Sequence, residues 1–538
     1  MRSAAFLALY ACGALGCDGD AMVAASMPHV AAYDPLARAR AFDGVVVNAE
    51  AAIPPVCYTK TGNASNPCYV CHTVSRSPYG RDDVELQQRY SFSEAAQTNH
   101  WQNLFIDRQP AIKAISDAEI LAYVRQDNYG LLMHTLADVP DYPGWVPDLD
   151  LAAGFDAGGF AQDKSGWRAL RYLPFPGTFW PTNGSADDVF IRLPAPFRSD
   201  DHGEPSIAVY RINLAILEAA MTTESRDDIE REIEPVDERL AGFDLDADGE
   251  LRADTDRLRA LPAHFVGGAS DVLVERWVMP AGVELMHSVR YLDPEAQSGA
   301  ARRMKELRYM RKVERLDLWA ALRAHENEVA EKAEGNAPVY RGNAFVGLRN
   351  SFGWQLQAFI EDEKGRLRLQ TEEEHRACMG CHGGIGVTID STFSFARKLP
   401  GARGFAVQDL RQMIDPSGEA LTYFKRVGAA DELRANDEMR ARFFQGGTVD
   451  EAEVRRAAPG GDRDLRWLLY PSRSRALALN KSYRTLVREQ RFERGRDAPL
   501  APPQNVHQRI KPGGTELAAA IVYADASLLP RWGDVGAR

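Results

Sequence analysis

Two pentapeptides, Cys68-Tyr69-Val70-Cys71-His72 and Cys378-Met379-Gly380-Cys381-His382, share the spacing C-x-x-C-H. That pattern is the attachment signature of c-type haem. Residues three apart share a face of a helical turn, so both thiols of a pair reach the vinyl groups of one porphyrin while the adjacent imidazole turns under the iron. Cys68, Cys71, Cys378 and Cys381 are therefore read as thioether anchors, and His72 and His382 as proximal iron ligands. Two other chemistries use paired cysteines. A redox dithiol does not require the trailing histidine and would have to arise twice. A zinc site shared between the pairs lacks the short separation of zinc fingers and ribbons.

Three more cysteines, Cys12, Cys17 and Cys57, complete the seven in the chain. Two fall in the leader and Cys57 has no evident partner, so a disulfide framework is not expected. Cys57 reads as a buried small hydrophobe.

On the two pentapeptides the chain resembles the large di-haem c-type cytochromes of bacteria and, more distantly, the di-haem cytochrome c peroxidases. The peroxidases place their two motifs much closer together than Cys68 and Cys378. The resemblance covers the motifs and their segments, not the long middle. It implies haem attachment after export, two covalently bound haem c groups, and electron transfer with a redox partner protein or a small-molecule electron donor or acceptor. The alternative it carries is a haem-dependent, peroxidase-like oxidoreductase with one open catalytic haem. The residue opposite each proximal histidine separates the two, because a sixth ligand closes the iron and an open position admits a substrate. For the first haem Met133 and His134 lie about where small cytochromes place a distal methionine, with His100 the next candidate. For the second, Met413 and Met439 lie downstream, and Met286 and His287 arrive from the middle of the chain. His375 shares the helical approach of His382, which leaves it a propionate or backbone contact.

Asp244, Asp246 and Asp248, followed by Gly249, occupy positions 1, 3, 5 and 6 of a calcium loop. Position 12 is Thr255, flanked by Asp254 and Asp256. The alternatives are a calcium that braces the middle segment and a solvated acidic turn. There is no phosphate-binding glycine loop, H-E-x-x-H run or nucleophile elbow to support nucleotide-dependent or hydrolytic chemistry.

Arg2 and the apolar stretch from Ala4 to Gly16 form an export leader too short to span a bilayer. Ala14-Leu15-Gly16-Cys17 resembles a bacterial lipobox, which makes Cys17 the lipidated residue and predicts a periplasmic or cell-envelope lipoprotein. No later apolar run is long enough to span, so membrane contact is expected only through that anchor. The net charge of -12 is spread without an acidic tail and argues against nucleic acid as a partner.

These sites require positioning by several elements, and 538 residues exceed one core. The expected architecture is α+β multidomain, with two mainly helical cytochrome c-like haem segments flanking a mixed α/β middle. The divisions are a leader over 1–17, a tether over 18–44, a first haem segment over 45–148, a middle domain over 149–345, a second haem segment over 346–430 and a helical and loop tail over 431–538. Patterning predicts helices over 92–105, 117–129 and 211–220, strands over 189–193 and 272–279, and a tight turn at 181–184. Met304, Leu307, Met310, Val313 and Leu316 predict an amphipathic helix over 301–323.

Overall fold

Eight strands build one antiparallel sheet: β1 (Arg168–Leu170), β2 (Ala186–Arg192), β5 (Glu284–Leu292), β6 (Ala300–Lys312), β7 (Arg341–Asn343), β8 (Gly347–Arg349), β9 (Trp354–Glu361) and β10 (Leu367–Leu369). Their order is β1-β2-β5-β6-β9-β8-β7, with β10 also paired to β9. Two ribbons lie apart from it, β3 (Arg231–Val236) with β4 (Thr255–Leu258), and β11 (Phe444–Gln445) with β12 (Thr448–Val449). The computed structural model describes residues 33–62, 65–72, 84–90, 92–177, 180–223, 229–428, 436–497, 499–511, 513–525 and 529–532. The leader, with Cys12 and Cys17, lies outside these described residues. Residues Pro35–Arg538 form a compact unit of their own.

The sheet corrects the expected architecture of two helical haem segments around a separate middle. The second segment contributes β8, β9 and β10 to the same sheet as β1, β2, β5 and β6, and its pentapeptide rides on the helix Glu372–His382. The first has no helix over 92–105, where the chain makes only the 3-10 turns Ala95–Gln97 and Gln102–Phe105.

The predicted helix over 301–323 is mostly strand β6. Its register shifts between the pairs Val289–Glu306 and Arg290–Met304, so a bulge returns Met304 to the face of Leu307 and Tyr309. Met304, Leu307 and Tyr309 pack with Phe190, Met286 and Phe359, whereas Met310 packs on the other face with Val189, Ile191 and Leu356. One bulge plus a change of face mimics a spacing of three. Both faces are covered, which overrides local periodicity.

The other elements follow local rules more closely. Ser116 caps the helix Asp117–Val124 and Ser206 caps Ile207–Thr222, each accepting from a backbone N–H three residues on. Residues Pro181–Asn183 form the expected turn. Residues 272–279 are not a strand: Trp277 has a left-handed backbone (φ 63°), and its indole N–H donates to Thr223 O at 2.7 Å.

One face of the sheet carries Asp187 and Val189 from β2, Leu285, His287 and Val289 from β5, and Glu306, Arg308 and Met310 from β6, in lateral register. The Glu372–His382 helix packs over this face, where Cys378 and Met379 join the cluster of Val189 and Met310. The opposite face is covered by the helix Tyr129–Ala137.

Candidate functional site

The second pentapeptide ends a firmly started helix. Thr371 Oγ1 accepts from the Glu374 N–H at 3.3 Å and the Glu374 carboxylate accepts from the Thr371 N–H at 2.8 Å, a reciprocal capping box. Glu374 is also paired with Arg368 at 2.8 Å. Burial opposes its charge, but Arg368 and these hydrogen bonds outweigh burial and hold the carboxyl at about 2. One turn on, His375 bonds through both ring nitrogens: Nε2 accepts from the Ala358 N–H at 3.0 Å, and Nδ1 lies 2.9 Å from Thr371 O. Burial lowers its pKa to about 4, so it is a neutral strut between helix and β9. This is the backbone role the spacing allowed it.

Cys378 and Cys381, three apart on this helix, line one cavity of about 990 Å³ together with Lys305, Glu306, Arg308, Tyr483 and Arg496. Arg496 Nη1 reaches Cys378 Sγ at 3.2 Å and Glu306 at 2.9 Å. Cys381 and His382 line an adjoining cavity of about 760 Å³ with His287, Asp187, Arg308 and Phe393. Burial, then the Arg308 cation, drives His382 well below the usual imidazole range, and its Nδ1 is buried without a hydrogen-bond partner. Burial also pushes the Cys381 thiol up to about 11.

The first pentapeptide is held differently. It occupies the 3-10 turn Pro67–Val70, where Asn66 accepts from the Tyr69 N–H and both Cys71 and His72 donate to Cys68 O, at 3.0 and 2.8 Å. The Asn66 amide donates to Gln87 at 2.7 Å and to Ile521 O at 2.6 Å, and Gln87 donates to His72 O and to Tyr523 O. Cys68, Cys71 and His72 line a cavity of about 1080 Å³ with Cys57, Tyr90, Phe92 and Tyr340. Burial raises the Cys68 thiol to about 12.

The same cavity is walled by Met379, Gly380, Gly384 and Ile385, the residues between and just beyond the second motif's anchors. Gly380 makes this possible. A Cβ there would stand 2.6 Å from Ala52 O, so only glycine lets the helix press against the segment leading to the first motif. The two pairs thus face opposite sides of one helix, and the cavities share a wall one helix thick.

These features fit a haem at each motif. Both thiols of each pair open on a common cavity, His382 keeps a buried nitrogen in need of a partner, and Lys305, Arg308 and Arg496 bring cationic charge suited to propionates. The other readings fit less well. Raised thiols at Cys68 and Cys381 are opposite to the lowered pKa of a dithiol nucleophile. Among the described residues no cysteine or histidine group closes to metal-ligand spacing, as a shared zinc site needs.

Several sequence candidates lie elsewhere. Met133 and His134 sit on Tyr129–Ala137, across the sheet from the second motif, Met133 against the apolar cluster and His134 exposed. Neither lines a motif cavity, and neither does His100. Met413 and Met439 are buried in an apolar cluster with Tyr69 and Val70, and Met286 points to the face away from the motif helix. His287, by contrast, faces His382 across the sheet-side cavity. Sequence reading missed Arg496, Arg308 and Lys305, whose only signal is three cations placed far apart in the chain.

In the acidic loop, Asp244 and Asp246 gather with Glu238, their ligand atoms within 4.8 Å of one another, while Asp248 pairs with Arg252 at 2.7 Å. Glu238 already accepts from the N–H groups of Leu245, Asp246 and Arg252. Thr255 is buried in β4 and leaves position 12 without a carboxylate.

Among the described residues no helix is long and apolar enough to cross a membrane. No solved structure matches the chain. An uncharacterized lipoprotein of Aquifex aeolicus (strain VF5) is 33% identical over 516 residues, covering 84% of this chain and 86% of the relative. A sequence family described as a lipoprotein family matches residues 41–440. It is neither a cytochrome c nor a peroxidase family, which corrects the kinship drawn from two pentapeptides: short motifs that answer to one prosthetic group do not carry the fold around them. By the length of these matches, the chain belongs to this lipoprotein family.

Proposed function

We propose that this lipoprotein carries two covalently attached haems, one at Cys68, Cys71 and His72 and one at Cys378, Cys381 and His382, and passes electrons between redox partners in the cell envelope. Each haem supplies an iron that cycles between ferrous and ferric states. The chain's own residues do the rest. At each anchor a thiol adds its sulfur to one vinyl carbon and its hydrogen to the other, so no atom is lost. Lys305, Arg308 and Arg496, at the edge of the second site, would offset propionate charge.

The observation that carries this reading is the shared wall: Met379 and Gly380 border the first cavity while their neighbours Cys378 and Cys381 face the other side. Two unrelated sites would not need such proximity, whereas a relay between two centres does. The test is intact mass and pyridine haemochrome quantification of exported protein, with two intact haems per chain expected. Unmodified mass, or pigmentation that survives loss of either cysteine pair, would overturn the reading.

The anchor belongs to the same proposal. Lipidation of Cys17 would tether the chain at the envelope surface, and Cys17→Ala should release it to the soluble periplasmic fraction. A second reading, an oxidoreductase with one open haem at the first cavity, rests on a described lining with no imidazole besides His72, where Met379 is the remaining sixth-ligand donor. Carbon monoxide binding to one haem per chain would support it.

A further inference from the structure

We propose that His287 is the sixth ligand of the iron at the second motif, with Asp187 fixing its ring, an assignment that rests on the haem reading of that motif. His287 stands at the centre of β5, in lateral register between Val189 of β2 and Arg308 of β6. This places it mid-sheet, under the helix that presents Cys378, Cys381 and His382, and it lines the same cavity as Cys381 and His382. A group clasped between that helix and this sheet has His382 on one side and His287 on the other.

The surroundings of His287 are those of an oriented ligand. Its Nε2 lies 3.3 Å from Asp187 Oδ2, an electrostatic approach outside hydrogen-bond geometry, and Asp187 accepts a hydrogen bond from the Tyr172 hydroxyl. A carboxylate this near one nitrogen favours the proton there and raises the basicity of the other, in the manner of the outer-shell support of a metal-bound histidine. The sheet supplies rigidity: β5 pairs on both sides along this stretch, so the imidazole is fixed by backbone rather than by a loop. Met310, the other donor on this face, also lines this cavity and packs with Ile191 and Leu356. The consequence is functional. Two histidines close the second iron to substrates and assign this centre to electron transfer, leaving any open-site chemistry to the first.

The experiment uses the full exported chain, with haem content measured beside the ligand readout. Electron paramagnetic resonance of the wild type should show the second centre low-spin. His287→Ala should retain two haems per chain, convert one low-spin signal to high-spin, and bind one more carbon monoxide per chain; added imidazole should restore the low-spin signal. His287→Met keeps a ligating side chain in case the alanine variant loads poorly, and should raise one midpoint potential while leaving the other unchanged. Asp187→Asn should raise the same potential by less. Met310→Leu should leave the spectrum as it is. Two haems with unaltered spin state in both His287 variants would overturn the assignment, as would a high-spin signal produced by Met310→Leu. A chain without haem would instead remove the reading beneath it.

Discussion

The two pentapeptides have the same spacing and opposite support. The second closes a capped helix that lies on a sheet and is pinned by the buried Arg368–Glu374 pair and the two-sided His375. The first is a single 3-10 turn held by side-chain amides, Asn66 and Gln87, which tie it to residues 521 and 523 near the other end of the chain. A local signature therefore fixes the chemistry offered and leaves the rigidity to tertiary structure. The sheet-backed motif has the rigid frame and the turn-borne motif the looser one.

The comparison breaks outright if the two sites are not independent in loading. Cys378→Ser with Cys381→Ser should lower haem content from two to one per chain, and Cys68→Ser with Cys71→Ser should do the same. Haemochrome titration reads both. Loss of all haem from either variant would mean that one site builds the other.

The next largest effect should fall on the second motif's ion pair. Glu374→Ala leaves the Arg368 guanidinium buried without its carboxylate, and removing one partner of such a pair costs about 3–5 kcal/mol. Denaturant melts of Glu374→Ala, with Glu374→Gln as the milder control, should show this loss. A cost under about 1 kcal/mol would place the pair in solvent and erase the contrast with the first motif.

Acid should act on the same half of the molecule. His375 has its pKa lowered from 6.5 to about 4 by burial, so between those values the unfolded chain takes up a proton that the folded chain refuses. Its contribution is fully present above the unfolded value and is lost as pH falls toward 4, about 3 kcal/mol in all. Glu374, held at about 2, withdraws its own contribution as pH falls from 4.5 through that value. Thermal melts from pH 7 to 4 should show the decline, and His375→Gln, whose amide can still accept from Ala358, should flatten it above pH 4.5.

What the sequence revealed and what it hid divide along range. The pentapeptides, the helix expected over 211–220 and found at Ile207–Thr222, and the turn at Pro181 are set by residues within a few positions of each other. The sheet is not, and β6 shows why. Its bulge and its two buried faces reproduce helical spacing, and only pairing with β5 and β9 decides between them. The site's cationic edge was hidden for the same reason: Arg496 meets Cys378 across 118 positions. Met133 and His134 were the natural choice for the first motif at a small cytochrome's spacing, yet their helix lies on a face of the sheet away from that motif's cavity and neither residue lines it. His287 needed a cross-strand neighbour, Asp187, to stand out from an ordinary strand residue.

The first motif's frame should show itself in Asn66→Ala. The change removes the acceptor for the Tyr69 N–H and one of the two donors to the buried Gln87 Oε1, which keeps the Tyr523 N–H, together about 2 kcal/mol. Because Gln87 also holds His72 O, the first centre's spectrum should broaden while the second stays as it was. Equal change at both would mean the shared wall, not the amide network, governs the first site.

Gly380→Ala addresses that wall. The added methyl meets Ala52 O, a backbone atom of a buried stretch, at 2.6 Å, so the segment from Ala51 to Pro54 must shift, at about 1–3 kcal/mol. Yielding moves the floor of the first cavity away from the helix while Cys378 and Cys381, on the other side, keep their contacts with the sheet-side cavities. The first centre's midpoint potential should therefore shift and the second's should not. If both shift together, the helix itself has moved, and the two sites are one mechanical unit despite their different frames.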